Sequence, residues 1–225
     1  MEPLTYSEIE KFVRTKLDEL SGDAGFITSD SLDISKIIEN SAIPVIKRIH
    51  LIAPNILLDG EDGLKKITGF TINDNVVRFF LPDNFIRLVS VKMDRWDRAV
   101  QTVITEDSVE YRKQKNKYLR GTPSNPVAAL LHESGNSMIM ELYTAADGSN
   151  LNQFLYVPKI GLRENGYPIC PKLREACLYA ITAEVLRSFD QTNKAQMFDA
   201  LAMQMLNLAH EHDRLYTPVG EKVLE

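Results

Sequence analysis

Apolar positions in the first third of the chain recur at helical spacing. Ile9, Phe12, Val13, Leu17 and Leu20 follow the i, i+3, i+4 rhythm of one buried helix face. Ser7-x-x-Glu10 ahead of them reads as a capping box, each side chain meeting a free backbone N–H of the first turn. Ser21-Gly22-Asp23 supplies the stop. A second stripe, starting near Asp33, runs through Ile34, Ile37, Ile38, Ala42, Val45, Ile46 and Ile49. Pro44 lies inside it. Its missing N–H and its ring predict a kink or break near Asn40 to Ile43. Pro54 and Asp59-Gly60 close the segment.

From Leu64 the period becomes strand-like. Runs at 65–72 and 76–81, parted by Asn73-Asp74-Asn75, predict a hairpin. Pro82-Asp83-Asn84 leads into a longer strand from Phe85 to Met93, with Phe85, Val89, Val91 and Met93 expected on one face. Val100 to Ile104, Val127 to Leu131, Ser137 to Tyr143 and Phe154 to Val157 read as further strands. Ser108 to Tyr111 reads as a short helix, and Arg120 to Pro126 as a loop. Two helices follow Pro168 and Pro171. One carries Leu173, Ala176, Cys177, Ala180, Ile181 and Val185; the other carries Met197, Leu201, Met205 and Leu208, after a break at Gln191-Thr192-Asn193. Past Asp213 the periodicity stops.

Helices, a block of short strands, then helices predict an α+β fold. The expected arrangement is a discontinuous helical bundle carrying an inserted antiparallel β-rich domain, sandwich-like or barrel-like. Its parts are an N-terminal helical part (1–60), the β-rich domain (61–167), a C-terminal helical hairpin packing on the N-terminal helices (168–213) and an extended C-terminal arm (214–225).

Composition narrows the function classes. With 26 Lys and Arg against 31 Asp and Glu, the 225-residue chain carries −5. That balance argues against a broad basic face gripping nucleic acid. Its 44% hydrophobic and 25% charged residues exclude a disordered or disulfide-stapled chain. No apolar run approaches the ~18–20 residues that span a bilayer, so no membrane partner is expected. The start, MEPLTYSEIEKF, lacks the regions of a signal peptide. The two cysteines demand no oxidising compartment.

Candidate chemistry is sparse. His210 and His212 point roughly 200° apart on a helix and cannot share one ion there. Cys177 lies on an apolar helix face and Cys170 has no neighbouring base, so buried thiols explain both. Asp59-Gly60-Glu61-Asp62-Gly63 lacks the alternating oxygens of a calcium loop and reads as a solvated turn. Glu106-Asp107 could serve acid–base work, but exposed turn residues explain them more simply. No catalytic residue, metal ligand or cofactor is therefore assigned. One basic run stands out: Arg112, Lys113, Lys115, Lys117 and Arg120, a candidate subunit or DNA contact, or else a solvated helix end. Trp96, Pro123 and Pro126 are loop or interface candidates, with core packing the alternative for Trp96.

The middle of the chain carries a resemblance. Leu81-Pro82-Asp83-Asn84-Phe85-Ile86-Arg87-Leu88-Val89-Ser90-Val91 resembles the LP-D-F-R-L-v-sV stretch of phage head-to-tail connector proteins. Trp96, Ile104 to Arg112, Arg120 to Ala128, Met140 to Ala145 and the helix pair opening at Pro171-Lys172-Leu173 follow in a similar order. The likeness covers about residues 60–210 and is strongest to the portal-adjacent ring proteins of crAss-like phages, a group of adaptor or gatekeeper-type neck proteins of short-tailed phages. It implies a structural virion protein without enzymatic activity, assembled in the host cytoplasm and located in the virion neck. Such chains form a homo-oligomeric ring of twelve that binds the portal, extends the DNA channel and supports the next neck-ring or tail protein. Genomic DNA passes through without sequence-specific binding. Family members dock on the portal through a C-terminal arm. By location alone, that arm is Arg214 to Glu225, with Leu215, Tyr216, Val219, Val223 and Leu224 as docking candidates. The alternatives are a DNA-binding protein using the 112–120 segment, or a small hydrolase using Glu106 or Asp107.

Overall fold

The computed structural model describes residues 1–20, 31–133, 137–146 and 148–216. It is mixed α+β, and none of the three sheets among these residues closes into a barrel. The chain divides into two compact units, one from residues 1–58 and 160–225 and the other from residues 59–159.

In the first unit, helix α1 (Tyr6–Leu20) follows a short strand β1 (Glu2–Leu4). The helix is capped two residues earlier than the Ser7–Glu10 pattern suggests. The Thr5 hydroxyl accepts the N–H of Glu8 at 3.3 Å, the contact an N-cap makes to its third helical residue. Glu10 is spent elsewhere, accepting from Arg14 at 2.8 Å and from the Ser35 hydroxyl at 3.1 Å. Those partners hold its carboxyl below the usual range, Arg14 contributing most. The inward face is Ile9, Val13 and Leu17.

Helix α2 (Ser31–Ile52) runs unbroken through Pro44, so of the expected kink or break the break is absent. The donor that proline lacks would have served the carbonyl of Asn40, and both Asn40 and Pro44 are exposed. Water can serve the freed carbonyl there. The continuous burial of Ile38, Ala42, Val45, Ile46 and Ile49 holds the helix together on its other side. The expected stop at Ser21-Gly22-Asp23 lies outside the described residues.

Helix α4 (Arg174–Ser188), reached after α3 of the second unit, is the centre of this unit and packs against α1, α2 and α5 (Thr192–Tyr216). Ala176, Cys177, Leu178, Ala180, Ile181, Thr182 and Ala183 are all buried, so every side of the helix meets protein. Small side chains allow that close approach on several sides. The helix ends in a Schellman motif: Gln191 N–H reaches the Leu186 carbonyl at 3.0 Å and Asp190 N–H the Arg187 carbonyl at 3.0 Å. Asp190 takes the left-handed conformation (φ 57°). The break is therefore Phe189–Gln191, and Thr192 already opens α5.

Two further expectations need correction here. Tyr167 does not close the β-rich block: strand β10 (Tyr167–Ile169) pairs antiparallel with β1, inside the first unit. The buried stripe of α5 is Ala195, Phe198, Ala202 and Leu206. The predicted stripe is rotated from it, with Met197 61% and Leu208 50% exposed.

The second unit has two sheets around one core. Strands β3 (Thr68–Asn73), β4 (Val76–Phe80), β6 (Val103–Thr105), β7 (Val127–His132) and β8 (Met138–Tyr143) form a sheet in the order β3-β4-β8-β7-β6. Strands β2 (Glu61–Asp62), β5 (Phe85–Met93) and β9 (Leu151–Pro158) form the other, in the order β2-β9-β5. Val77, Phe79, Met140 and Leu142 of the first share a core with Phe85, Val91, Phe154 and Tyr156 of the second. The predicted hairpin is present, turning on Asp74 and Asn75 with φ of 49° and 59°, the two positive values of a type I′ turn.

The unit is not wholly antiparallel, because β6 runs parallel to β7. A parallel pair needs a crossover rather than a tight turn, and residues 106–126, including helix α3 (Val109–Gln114), supply it. In β5 three irregularities shift the alternation. The core residues there are Phe85, Leu88, Val91 and Met93, while Val89 is buried outside that cluster. The Asp59–Gly63 segment is solvated at Asp59 and Asp62, as expected, and packed at its end, where a Cβ at Gly63 would lie 2.5 Å from the Phe154 ring.

His50 links α2 to the start of the C-terminal helices. It is 1% exposed; Nδ1–H donates to the Ile46 carbonyl at 2.9 Å, so Nε2 accepts the Cys170 N–H at 3.3 Å. Burial pushes its pKa below the ordinary value. The unfolded chain takes up this proton near pH ~6.5 and the folded one only below that. Stability present above pH ~6.5 is therefore lost as the pH falls through it. Urea unfolding between pH 7.5 and 5 should show the wild type losing up to about 1.4 kcal/mol per pH unit relative to His50→Gln; parallel curves would refute the assignment.

Candidate functional site

The features of the second unit most suggestive of function gather on the outer face of its five-stranded sheet. Strand alternation puts Met140 and Leu142 of β8 into the core and Glu141 and Tyr143 on the opposite face. Glu141 is only 5% exposed. A buried carboxylate must be fully partnered, and this one is. Its Oε1 accepts from Arg78 Nε at 2.6 Å and Nη2 at 2.5 Å, across the register pair Arg78–Glu141. Its Oε2 accepts the hydroxyls of Tyr143 at 2.5 Å and Tyr111 at 3.2 Å. Burial first, and then Glu141 through its hydrogen bonds and charge, push both phenols above their ordinary pKa, Tyr143 far above it. They stay protonated donors.

Helix α3 delivers Tyr111. The Ser108 hydroxyl accepts the Tyr111 N–H at 3.1 Å and donates to the Thr105 carbonyl at 2.7 Å, fixing the first turn. The same helix turns Tyr111 and Gln114 inward and leaves Arg112, Lys113 and Lys115 exposed. Lys115 Nζ sits 5.2 Å from the centre of the Tyr111 ring, within cation–π range.

The segment after α3 is held by polar contacts. The Asn116 carbonyl accepts from Leu119 and Arg120 N–H, and its side-chain oxygen accepts from Tyr118 N–H at 3.0 Å. Gln114 Oε1 takes the Gly121 N–H at 2.9 Å. The Arg120 guanidinium donates to the Gln114 carbonyl (2.8 Å), the Asp74 carbonyl (2.6 Å) and the Asp74 carboxylate (3.0 Å). Arg120 is thus a tie between this loop and the β3–β4 turn. Four of the five residues in the predicted basic run remain outward: Arg112, Lys113, Lys115 and Lys117. None of the four has an acidic partner among the described residues. Tyr118 (86%) and Leu119 (59%) are exposed beside them.

Between hairpin and loop lies a cleft of about 310 Å³, with Asp74, Arg78, Lys115 and Arg120 at its walls and Glu141 and Tyr143 at its base. Most of its donors are already engaged: Arg78 and both phenols serve Glu141, Arg120 serves Asp74 and the Gln114 carbonyl, and Lys115 is the lining cation without a carboxylate partner among the described residues. The cleft offers no activated nucleophile, since its phenols are held protonated and its carboxylate is spent on an ion pair. Glu106 and Asp107 sit exposed in the turn before α3 and do not line the cleft. No three His, Cys, Asp or Glu side chains group as metal ligands among the described residues. Burial drives the Cys177 thiol far above its ordinary pKa.

The remaining candidates are dispersed. Trp96 is 3% exposed in the core, its indole N–H donating to the Thr144 carbonyl at 3.3 Å, so it offers no contact surface. Pro126 is buried, and Pro123 is exposed with its carbonyl accepting the Asp97 N–H. Leu215 and Tyr216 fall within α5, which overturns an extended arm beginning at Arg214. Val219, Val223 and Leu224 lie outside the described residues. Sequence reading missed Glu141, Arg78, Tyr143 and Asp74 as a group because two strands and a turn bring them together. Its only local trace is the alternation Met140-Glu141-Leu142-Tyr143, which sets a carboxylate and a phenol on one face.

Two substitutions test the network. Glu141→Gln puts an NH₂ donor among three donors and should cost about 1–3 kcal/mol by urea unfolding. Arg120→Ala should leave the fold intact but speed trypsin cleavage at Lys113 to Lys117 about tenfold, by freeing the loop. Unchanged cleavage would show that the tie is not what holds it.

No protein-family model matches the chain, and no curated protein matches it.

Proposed function

We propose that this chain is a structural virion protein of a short-tailed phage, a subunit of the neck ring that joins portal to tail. The observation that carries the reading is the two-unit division. The chain's two ends supply helices α1, α2, α4 and α5, and residues 59–159 make a separate unit of short strands. That division supports the discontinuous bundle with an inserted β-rich domain expected from the order of elements, and the helical domain plus β-rich domain that the resemblance to connector proteins implies. Residues that carry the resemblance also occupy demanding places: Asn84 accepts the Tyr156 hydroxyl at 2.9 Å, and Glu141 is the buried carboxylate. The ring would be closed and heterologous, with twelve copies around a DNA channel and the tail beyond Tyr216 reaching the portal. Twelve copies of −5 total on the order of −60, which disfavours a tight grip on moving DNA. No helix among the described residues is long and apolar enough to cross a membrane.

A second reading, direct contact with nucleic acid, is favoured by one observation: four exposed cations of α3 and the tied loop after it, none with an acidic partner among the described residues, beside an exposed tyrosine. Duplex DNA binding by fluorescence anisotropy tests it. The reading expects a salt-dependent affinity that falls when Arg112, Lys113, Lys115 and Lys117 are replaced together by Gln. No binding at 50 mM salt sinks it.

For the neck-ring reading the test is light scattering of the purified chain, alone and with portal complex. A ring-sized species, or a monomer that joins the portal in fixed stoichiometry, is expected, and deletion of residues 217–225 should weaken that joining at least tenfold. A chain that ignores the portal refutes the docking.

A further inference from the structure

The loop after α3 presents an aromatic ring that its own fold does not use. Tyr118 is 86% exposed, more than any other large apolar or aromatic side chain among the described residues. Its one ring contact there is Lys117, whose Nζ lies 5.6 Å from the ring centre. The position is not a loose end. Asn116 Oδ1 accepts the Tyr118 N–H at 3.0 Å, and the Asn116 carbonyl accepts the N–H groups of Leu119 and Arg120. Arg120 then ties the turn to Asp74. The ring therefore stands on a backbone already fixed, which spares a partner the cost of ordering it.

Charge of one sign accompanies the ring. Arg112, Lys113, Lys115 and Lys117 fall within six consecutive residues, all four exposed. None has an acidic partner among the described residues. The exposed acids of this stretch, Glu106, Asp107 and Glu110, come before or at the start of α3, so the segment is polarised along its length. The buried Tyr111 ring holds Lys115 in place, with Nζ 5.2 Å from its centre. An exposed ring with a cation at its side matches one repeat of a nucleic-acid strand, a flat base joined to a phosphate.

We propose that the 112–119 segment takes single-stranded nucleic acid, a base stacking on Tyr118 and neighbouring phosphates meeting Lys117, Lys115, Lys113 and Arg112. The inference rests on the nucleic-acid reading above and names its substrate class. The ring selects the single strand. In a duplex each base face is covered by the next base pair, so a protruding phenol has nothing to stack on and only the cations contribute. In a single strand the faces are open, and stacking adds to the phosphate contacts whatever the base. Three of the four cations are lysines, point charges suited to phosphate, without the planar fork by which arginine recognises partners bidentately. Little sequence preference is therefore expected. Lysine is depleted in protein interfaces, which weighs against an acidic protein as the occupant.

Fluorescence anisotropy on the full chain at about 50 mM salt tests it. The probes are an oligothymidylate and an oligouridylate of about twelve nucleotides, a duplex of the same length and an oligoglutamate of equal charge. One or both single strands should bind at least tenfold more tightly than the duplex, and the comparison between them tells DNA from RNA. Tyr118→Ala should weaken single-strand binding about tenfold and leave the duplex unchanged, while Tyr118→Phe should behave as the wild type. With four phosphates engaged, log K for the single strand should fall against log salt with a slope of about −3. Tyr118 is exposed, so thermal unfolding should be the same in both variants. A duplex bound as tightly as the single strands, or a Tyr118→Ala chain that binds them unchanged, would overturn the proposal and leave the nucleic-acid reading standing. No binding of any nucleic acid would remove both. An oligoglutamate bound as tightly as the strands would reduce the contact to charge alone and overturn the proposal.

Discussion

A carboxylate on the outer face of β8 sets the terms for much of the second unit. The period of two that sends Met140 and Leu142 into the core leaves Glu141 on the other side. Covering that side with α3 would strand a charge unless every acceptor site near it were used. Arg78 comes from the adjacent strand in register, Tyr143 from two residues along, and Tyr111 from the covering helix. The helix is therefore docked by the group it buries. From there the dependence continues outward: α3 fixes Gln114, Gln114 fixes Gly121, and Arg120 fastens the loop to the β3–β4 turn.

The first unit is organised by a different constraint, the burial of α4 on all sides. Alanine, cysteine and threonine along it permit three helices to approach. Between them Leu178, Ile181, Val185 and Leu186 are buried, and the Tyr179 ring packs on Phe12 of α1 and Phe198 of α5. Directional contacts add to that packing at the periphery: Arg174 with Glu8, Arg187 with Glu184 and Asp199, and His50 with the Cys170 N–H. Each joins segments far apart in the chain or tightens a turn, and the histidine does so only while neutral.

How much of this was legible in the sequence depended on the range of the interaction responsible. The hairpin at Asp74-Asn75 and the short helix beginning near Ser108 are local, and their residues announced them. Pro44 was read locally too, but burial along the opposite side of α2 outweighed one lost hydrogen bond on an exposed face. In β5 the alternation was legible but not its bulges, because they are defined against β9. The parallel β6–β7 pair and the Glu141 network involve residues tens of positions apart, beyond any periodicity. The α5 stripe was read correctly as apolar and wrongly as core: periodicity reports which residues share a face, and only the tertiary packing decides which face is covered.

Net charge misleads in the same way when it is taken for a surface property. Removing four loop cations from a chain of −5 leaves −9 spread over the rest. At physiological salt a partner senses charge over about 8 Å, so one that reaches the 112–119 loop meets a local cluster of cations and not the average. The acidic balance thus argues against a broad basic face and says nothing against a small one. Because Gln114, Asn116 and Arg120 already order that loop, a polyanion meeting it would not have to fix the backbone as it binds.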